Sequence, residues 1–366
     1  MVLTWPAYAA AFLAPLAVAW VLTPVMLGVA LRRRLLDGPT GEARKAAQQA
    51  VPYLGGVAIV VAFSALVLGA SAVDRSPSVL AQLAALLGVG LVLALMGLLD
   101  DLRGGLSARV RLLVEAAAGV VVHVTGSGAA LQGPAVLDLV VTVMWVVGIT
   151  NAFNLLDNMD GLSAGVASIA GLWFALIAAL NGQFLVAALA AGVAGCAAGF
   201  LRHNFHPAKI YMGDAGSLFL GYLLAVLGLK LQLTGTPPLV ALFVPLFVLG
   251  VPLFDTTLVT LQRLQHGRSP AQGGRDHTSH RLVYVGLPVP VTVCLLYATA
   301  VALGWLALLL ARLDTLSGLL LVGFVLSVGL FLMGLLSVVP VYDNSRQRTT
   351  MLRVVRDHDP EQRAAG

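Results

Sequence analysis

The chain has 366 residues, 59% of them hydrophobic and only 11% charged, with a mean hydropathy of +0.92. So few charges cannot cover a soluble protein of this size, which excludes an ordinary soluble enzyme and leaves a membrane protein. The net charge of +5 is no sign of nucleic-acid binding, because basic loops also orient membrane proteins.

A spanning helix needs about 20 mainly apolar residues. On that rule eleven segments are expected to span, at 7–31, 53–73, 79–99, 109–125, 135–153, 162–180, 183–201, 215–233, 238–254, 288–311 and 316–338. The first begins almost at once and lacks a basic leader and a small-residue cleavage site, so it is expected to be retained. The fourth is short and carries Glu115 and His123. Pro15, Pro24, Pro245 and Pro252 fall inside spans, where neighbouring groups can satisfy the freed carbonyls. Cys196 and Cys294 sit in apolar runs without metal-ligand spacing and read as small packing residues. The fold class is therefore all-α and polytopic, with Gly and Ala suited to close helix packing.

Basic residues give the orientation. All of the 22 Lys and Arg except Arg75, Arg312 and Lys230 fall on the side that holds the 32–52 loop. That side is expected to be cytoplasmic, with the amino terminus outside and the carboxyl terminus inside. Its loops are 32–52, 100–108, 151–161, 202–214 and 255–287, and the outer loops are short and chemically plain.

The first of these loops holds Arg44 and Lys45, which can meet a lipid phosphate. Asp100-Asp101 closes the third span. Such a pair can hold a divalent cation or act as a base. As a merely solvated helix end it would be mildly unfavourable, because carboxylates oppose the dipole at a helix C-terminus.

In 151–161, Asn154, Asp157 and Asp160 recur every three residues. If the helix continues, they share one face. Their oxygens suit a hard cation or the hydroxyl and imide groups of a nucleotide. The plainer reading is a polar loop that caps the next helix. Further on, Asn204 and Tyr211 precede Gly213-Asp214-Ala215-Gly216-Ser217. Backbone N–H groups there can meet phosphate, and Asp214 can ligate a metal or simply cap the helix.

Asp255 ends the ninth predicted span. The loop after it reads Gly273-Gly274-Arg275-Asp276-His277-Thr278-Ser279-His280-Arg281. Two His and two Arg in seven residues suit a polyanion such as a diphosphate. The nearby acidic groups favour Mg²⁺ over zinc. A basic loop that only sets topology is the alternative.

In order, these clusters resemble the polyprenyl-phosphate N-acetylhexosamine-1-phosphate transferases, from about Asp37 to Leu282. The pattern is an Asp pair, then Asn-x-x-Asn-x-x-Asp-x-x-Asp-Gly, then Met-Gly-Asp-x-Gly-Ser, then a His-rich loop. Eleven spans look like the N-acetylglucosamine-1-phosphate branch more than the ten-span muramoyl-pentapeptide branch. The resemblance implies transfer of a sugar 1-phosphate from a UDP-N-acetylhexosamine to a polyprenyl phosphate such as undecaprenyl phosphate, yielding UMP.

The same resemblance implies a requirement for Mg²⁺, with Mn²⁺ as a substitute, and a homodimer in the cell membrane. It assigns metal binding to Asn154 and Asp214, and base catalysis to Asp100 with Asp101 beside it. Nucleotide-sugar binding falls to Asp157, Asp160, Asn204, Tyr211, Asp255, His277, His280 and Arg281. Tyr211 would stack on uracil. Lipid phosphate would be met by Arg44, Lys45, Arg109 and Arg111, the last two standing where a family Lys is absent.

Residues 1–342 then form one catalytic membrane domain and 343–366 a polar cytoplasmic tail. Four positions depart from the family pattern: Ser279 replaces a His, Asn158 a frequent Gly, and Ala46 and Ala47 follow Lys45 where a His is common. The competing readings are a muramoyl-pentapeptide transferase, a transporter, which would favour repeats and midplane charges, and a non-catalytic scaffold.

Overall fold

The computed structural model describes residues 5–37, 51–73, 75–131 and 134–341. Arg44, Lys45 and the 343–366 tail lie outside them. The described chain is almost wholly helical: α1 (Trp5–Arg33), α2 (Gly55–Val73), α3 (Pro77–Arg103), α4 (Ala108–Val124), α5 (Ala135–Leu156), α6 (Leu162–Leu180), α7 (Phe184–Asn204), α8 (Gly213–Lys230), α9 (Pro238–Ala241), α10 (Phe243–Val248), α11 (Gly250–Gln265), α12 (Thr278–Tyr284), α13 (Val289–Leu310) and α14 (Thr315–Ser337). Helices satisfy their own backbone groups, which is what a lipid environment requires. Two short strands, β1 (Leu36–Asp37) and β2 (Val51–Pro52), pair antiparallel beside the end of α1.

Among the described residues nine helices are long and apolar enough to cross a membrane, or ten if one bent pair counts as a span. The expected eleven differs from this through α4. Its 17 residues make about 26 Å, at the short end of what a spanning helix needs, and Arg109, Arg111 and Glu115 interrupt its apolar run. It nevertheless runs from the end that holds Asp100 to the start of α5, so that Asn154 returns to the same end. The expected span at 238–254 is also broken. Pro238–Val248 and Gly250–Gln265 meet at 78°, with Pro245 and Pro252 flanking the bend, a recognised cause of kinks. Beyond the bend, α11 carries Asp255 and Arg263, both buried, on a helix instead of a loop.

The centre of the bundle is α8. Every residue from Ala215 to Gly228 is buried, against α3 and α5 on two sides and α2, α6 and α7 on others. By contrast α14 buries only Gly318 and Val322. It leaves Leu316, Leu320, Phe324, Leu330 and Phe331 exposed, as a lipid-facing helix should.

The polar clusters gather at one end of this bundle. Tyr211 N–H donates to Pro52 O at 2.8 Å, and the N–H groups of Gly55 and Gly56 donate to the carbonyls of Tyr211 and Met212 at 3.0 and 2.9 Å. The 211–212 backbone thus satisfies donors that the start of α2 would otherwise leave open. This ties the first loop to the segment just before Asp214.

Candidate active site

Asp214 is the second residue of α8, but it does not cap that helix. Its own N–H is capped from α3: Asp101 Oδ1 accepts from Asp214 N at 3.1 Å, and Asp101 Oδ2 accepts from Ala215 N at 3.4 Å. A carboxylate at a helix N-terminus answers both the open donors and the dipole. Two glycines make the approach possible. Gly213 has φ +67°, and a Cβ there would strike the Asp101 carboxylate. A Cβ on Gly97, one turn before Asp101, would strike the Asp214 and Ala215 backbone.

Asp100 faces a different neighbour. One of its oxygens accepts from Leu106 N–H, and the other lies 3.4 Å from Arg111 Nη1. The same Nη1 is 3.2 Å from Asp214 Oδ2, and Arg111 Nη2 donates to Asn154 Oδ1 at 2.7 Å. Asn154 Nδ2 in turn donates to Asp214 Oδ1 at 2.7 Å and to Ser217 Oγ at 3.0 Å. The site therefore holds two carboxylates, one amide and one guanidinium, brought from α3, α4, α5 and α8. The Asp214 side chain keeps 25% of its exposure against 11% for Asp100, so Asp214 is the more open to a ligand.

The donor set fits a hard cation. Among the described residues no three His, Cys, Asp or Glu side chains form a metal-holding group. Mg²⁺ does not need three, because it commonly takes one or two carboxylates, several waters and a substrate phosphate. Asp100, Asp214 and Asn154 supply oxygen donors around the position of a fixed cation, the Arg111 guanidinium.

The α5–α6 connection differs from the helical face anticipated for Asn154, Asp157 and Asp160. Helix α5 stops at Leu156, Asp157 is its C-cap with ψ 44°, and Gly161 at φ +76° is the N-cap of α6. Asn154 alone of the three stays helical. Asp160 Oδ2 lies 2.8 Å from His206 Nδ1 and accepts from Ala208 N–H at 3.0 Å. Asn204, 2% exposed, accepts from Gly161 N–H at 3.0 Å and donates to Ile210 O at 3.0 Å. These two residues staple the 157–161 turn to the segment leading to Tyr211, which is half-buried.

The His loop is similarly anchored. Asp255, buried in the second turn of α11, accepts from Thr278 N–H at 2.6 Å, and its other oxygen is 2.8 Å from His277 Nδ1. Arg281 is fully buried and donates to Asp276 O at 2.9 Å and to Leu336 O at 2.7 Å. The backbone of α12 is thus held to α11 and α14. Arg263 grips Asp276 with two bonds, at 2.8 and 2.7 Å. His280 stacks obliquely on His277, with ring centroids 5.9 Å apart. Its Nδ1 is buried and has no hydrogen-bond partner among the described residues. Burial, then the electrostatic influence of His277 and Arg275, push its pKa down to about 4 against the opposing pull of Asp255 and Asp276. At neutral pH His280 is a neutral ring with an open nitrogen.

Arg109 is exposed at the start of α4 and stands apart from the carboxylates that Arg111 joins. Two polar residues in this region carry no role in the sequence reading. Glu115, fully buried one turn beyond Arg111, accepts from Asn151 Nδ2. Ser217 bonds Asn154. Their signals were present, as a carboxylate in an apolar run and as the last residue of Gly-Asp-Ala-Gly-Ser. A cavity of about 400 Å³ lies elsewhere, lined by Gln82, Leu86, Gln183, Val226 and Lys230. Lys230 is about 24 Å along α8 from Asp214, and that lining carries no carboxylate or His.

Fold and site together define a polytopic membrane protein with an acidic, amide-lined centre suited to phosphate chemistry. Residues 83–232 match the family model "Glycosyl transferase family 4". The chain is 34% identical over 298 residues, 78% of its length and 80% of the relative's, to the Bacillus subtilis protein named "Probable undecaprenyl-phosphate N-acetylglucosaminyl 1-phosphate transferase". It is 32% identical to the decaprenyl-phosphate N-acetylglucosaminephosphotransferase of Mycolicibacterium smegmatis, covering 68% of this chain and 69% of that one. It is also 30% identical to a phospho-N-acetylmuramoyl-pentapeptide-transferase of Streptococcus pyogenes, covering 59% and 67%. The chain belongs to glycosyl transferase family 4.

Proposed function

We propose that this protein transfers N-acetylglucosamine 1-phosphate from UDP-N-acetylglucosamine to undecaprenyl or a similar polyprenyl phosphate. A phosphate oxygen of the lipid attacks the sugar-bearing phosphorus. The bridge between the two donor phosphates breaks, and UMP leaves. The observation that carries this reading is the convergence of Asp100, Asp214, Asn154 and Arg111 on one point at the end of a bundle of apolar helices. There a lipid phosphate and a soluble nucleotide can meet. The basic bias of the connecting loops supports placing that end at the cytoplasmic face.

Asp214 and Asn154 would hold Mg²⁺, which when bound would neutralise charge developing on the donor diphosphate. The remaining work falls to side chains. Arg111 draws the anionic reactants together, because its fork can meet a phosphate as it meets Asp214 and Asn154. Asp100 accepts the proton of that fraction of the acceptor still monoprotonated. With a second phosphate pKa near 6, the base is asked for little, and charge placement carries most of the rate. His280, half-buried as a neutral ring, meets the donor through the part of its ring that stays exposed, while Asp255, Asp160 and Asn204 hold the surrounding loops in place.

Purified protein supplied with undecaprenyl phosphate, Mg²⁺ and a panel of UDP-N-acetylhexosamines is expected to release UMP. Release should require lipid and metal, favour UDP-N-acetylglucosamine over UDP-muramoyl-pentapeptide, and vanish in Asp214→Ala and Asp100→Asn. Lipid-independent release, or wild-type turnover in either variant, would overturn the assignment.

A further inference from the structure

Asn158 and Ser279 lie 121 residues apart and are bonded to each other, Ser279 Oγ donating to Asn158 Oδ1 at 2.6 Å. The geometry points to one positioning unit: this pair sets the spacing between the 157–160 turn and the His277/His280 loop, and through it the fit of the sugar-diphosphate part of the donor. The inference rests on the reading of the site as a nucleotide-sugar transferase.

Both partners are held so that the bond has one geometry. Asn158 Nδ2 donates to Leu155 O at 2.7 Å, which turns its oxygen towards Ser279. Ser279 is 1% exposed and sits in the first turn of α12, two residues after His277 and one before His280. The other anchors of α12 run to α11 through Asp255 and to α14 through Arg281. They fix the loop to the elements behind it. The Ser279–Asn158 bond instead runs across to the turn between Asp157 and Asp160, so a change in it moves both histidines relative to those carboxylates.

Size couples the two positions as well. At 1% exposure Ser279 is enclosed by its neighbours, Asn158 among them, and an imidazole there adds atoms that a close-packed interior resists.

The test is steady-state kinetics of the full-length protein in nanodiscs, with undecaprenyl phosphate and either UDP-N-acetylglucosamine or UDP-N-acetylgalactosamine. Ser279→Ala and Asn158→Ala are each expected to raise donor KM about five- to tenfold, the size of one lost hydrogen bond. The inhibition constant of UMP, which lacks the sugar, should stay put. The double variant should be no worse than either single, because both remove the same bond. Ser279→His alone should be severely impaired. Adding Asn158→Gly should restore turnover to within a few-fold and change the ratio between the two donors. Multiplying losses in the double Ala variant would overturn the inference, as would a UMP constant that rises with donor KM. Were the wild type to release no UMP from any donor, the transferase reading would fall. The pairing would then be read from melting temperatures, where additive shifts of the two Ala variants would overturn it too.

Discussion

Asp101 caps the helix that carries Asp214, its Oδ1 accepting the Asp214 N–H at 3.1 Å. Two adjacent carboxylates on α3 therefore do different work. Asp100 reaches Arg111, and Asp101 satisfies the open donors of α8. Losing a capping side chain costs about 0.5–2 kcal/mol. Asp101→Ala should lower the melting temperature as well as turnover, and Asp101→Asn, which keeps an acceptor oxygen, should fall between it and wild type. Asp100→Asn should lose turnover with little change in melting. Parallel melting and turnover measurements check this, and an Asp101→Ala protein that melts like wild type would remove the capping role.

The same approach makes Gly97 indispensable without giving it any chemistry. A methyl group there meets backbone atoms of Asp214 and Ala215, which cannot rotate aside, so α3 must move off α8. Such overpacking typically costs about 1–3 kcal/mol. Gly97→Ala is expected to reduce kcat at least tenfold, as misplacement of about 1 Å can, while leaving the protein folded in detergent. Gly88, on the same helix with nothing near its added carbon, is the control. Equal activity in Gly97→Ala and Gly88→Ala would contradict the argument.

Arg111 occupies the centre of the oxygen set proposed for Mg²⁺. Guanidinium and ion must compete for Asp214 unless the side chain swings towards phosphate when substrate arrives. Arg111→Ala should therefore lower turnover at least about 100-fold, as loss of a charge-stabilising donor commonly does. It should also tighten Mg²⁺ binding in the absence of substrate. Arg111→Lys should recover only part of the turnover, since an ammonium cannot bridge Asp214 and Asn154 as a fork does. Thermal-shift titrations with Mg²⁺ read the binding, and weaker Mg²⁺ binding in Arg111→Ala would rule out the competition.

Much of this arrangement is legible in the sequence, for identifiable reasons. Apolar runs of spanning length locate the helices, and the ordered polar clusters at their ends locate the site. The bundle does join Asn154 with Asp214 and the Asp pair with both. Less legible is what each polar residue is bonded to. Asp255, Asn204 and Arg281 carry the residue types of ligand-binding groups, yet each is buried with backbone partners from a distant segment. Periodicity suggested a shared face for Asn154, Asp157 and Asp160, but Gly161 permits a turn that local spacing does not reveal. Arg111 reads as a lipid-phosphate residue only through the resemblance, standing where a family Lys is absent. Only the packing of α4 on α5 places it among the carboxylates.

His280 gives the His loop a pH dependence of defined sign. In the docked structure its pKa is about 4, pushed down first by burial, against an ordinary value of 6.5. Above pH 6.5 the ring is neutral whether α12 is docked or not, so it contributes no slope. As pH falls from 6.5 towards 4, the undocked loop takes up a proton that the docked loop resists. The undocked state then binds more protons, and docking weakens across that window. The protection of the α12 amides against hydrogen exchange, taken relative to the intrinsic exchange rate at each pH, should fall progressively below pH 6.5 in wild type. His280→Gln, which keeps a polar group but does not titrate, should flatten the part of that slope owed to the ring. Identical pH slopes in the two proteins would show that His280 is not the group responsible. Donor binding should oppose the effect, because a diphosphate beside the ring favours its protonated form. Saturating UDP-N-acetylglucosamine is therefore expected to shift the loss of protection to lower pH in wild type and to shift it less in His280→Gln.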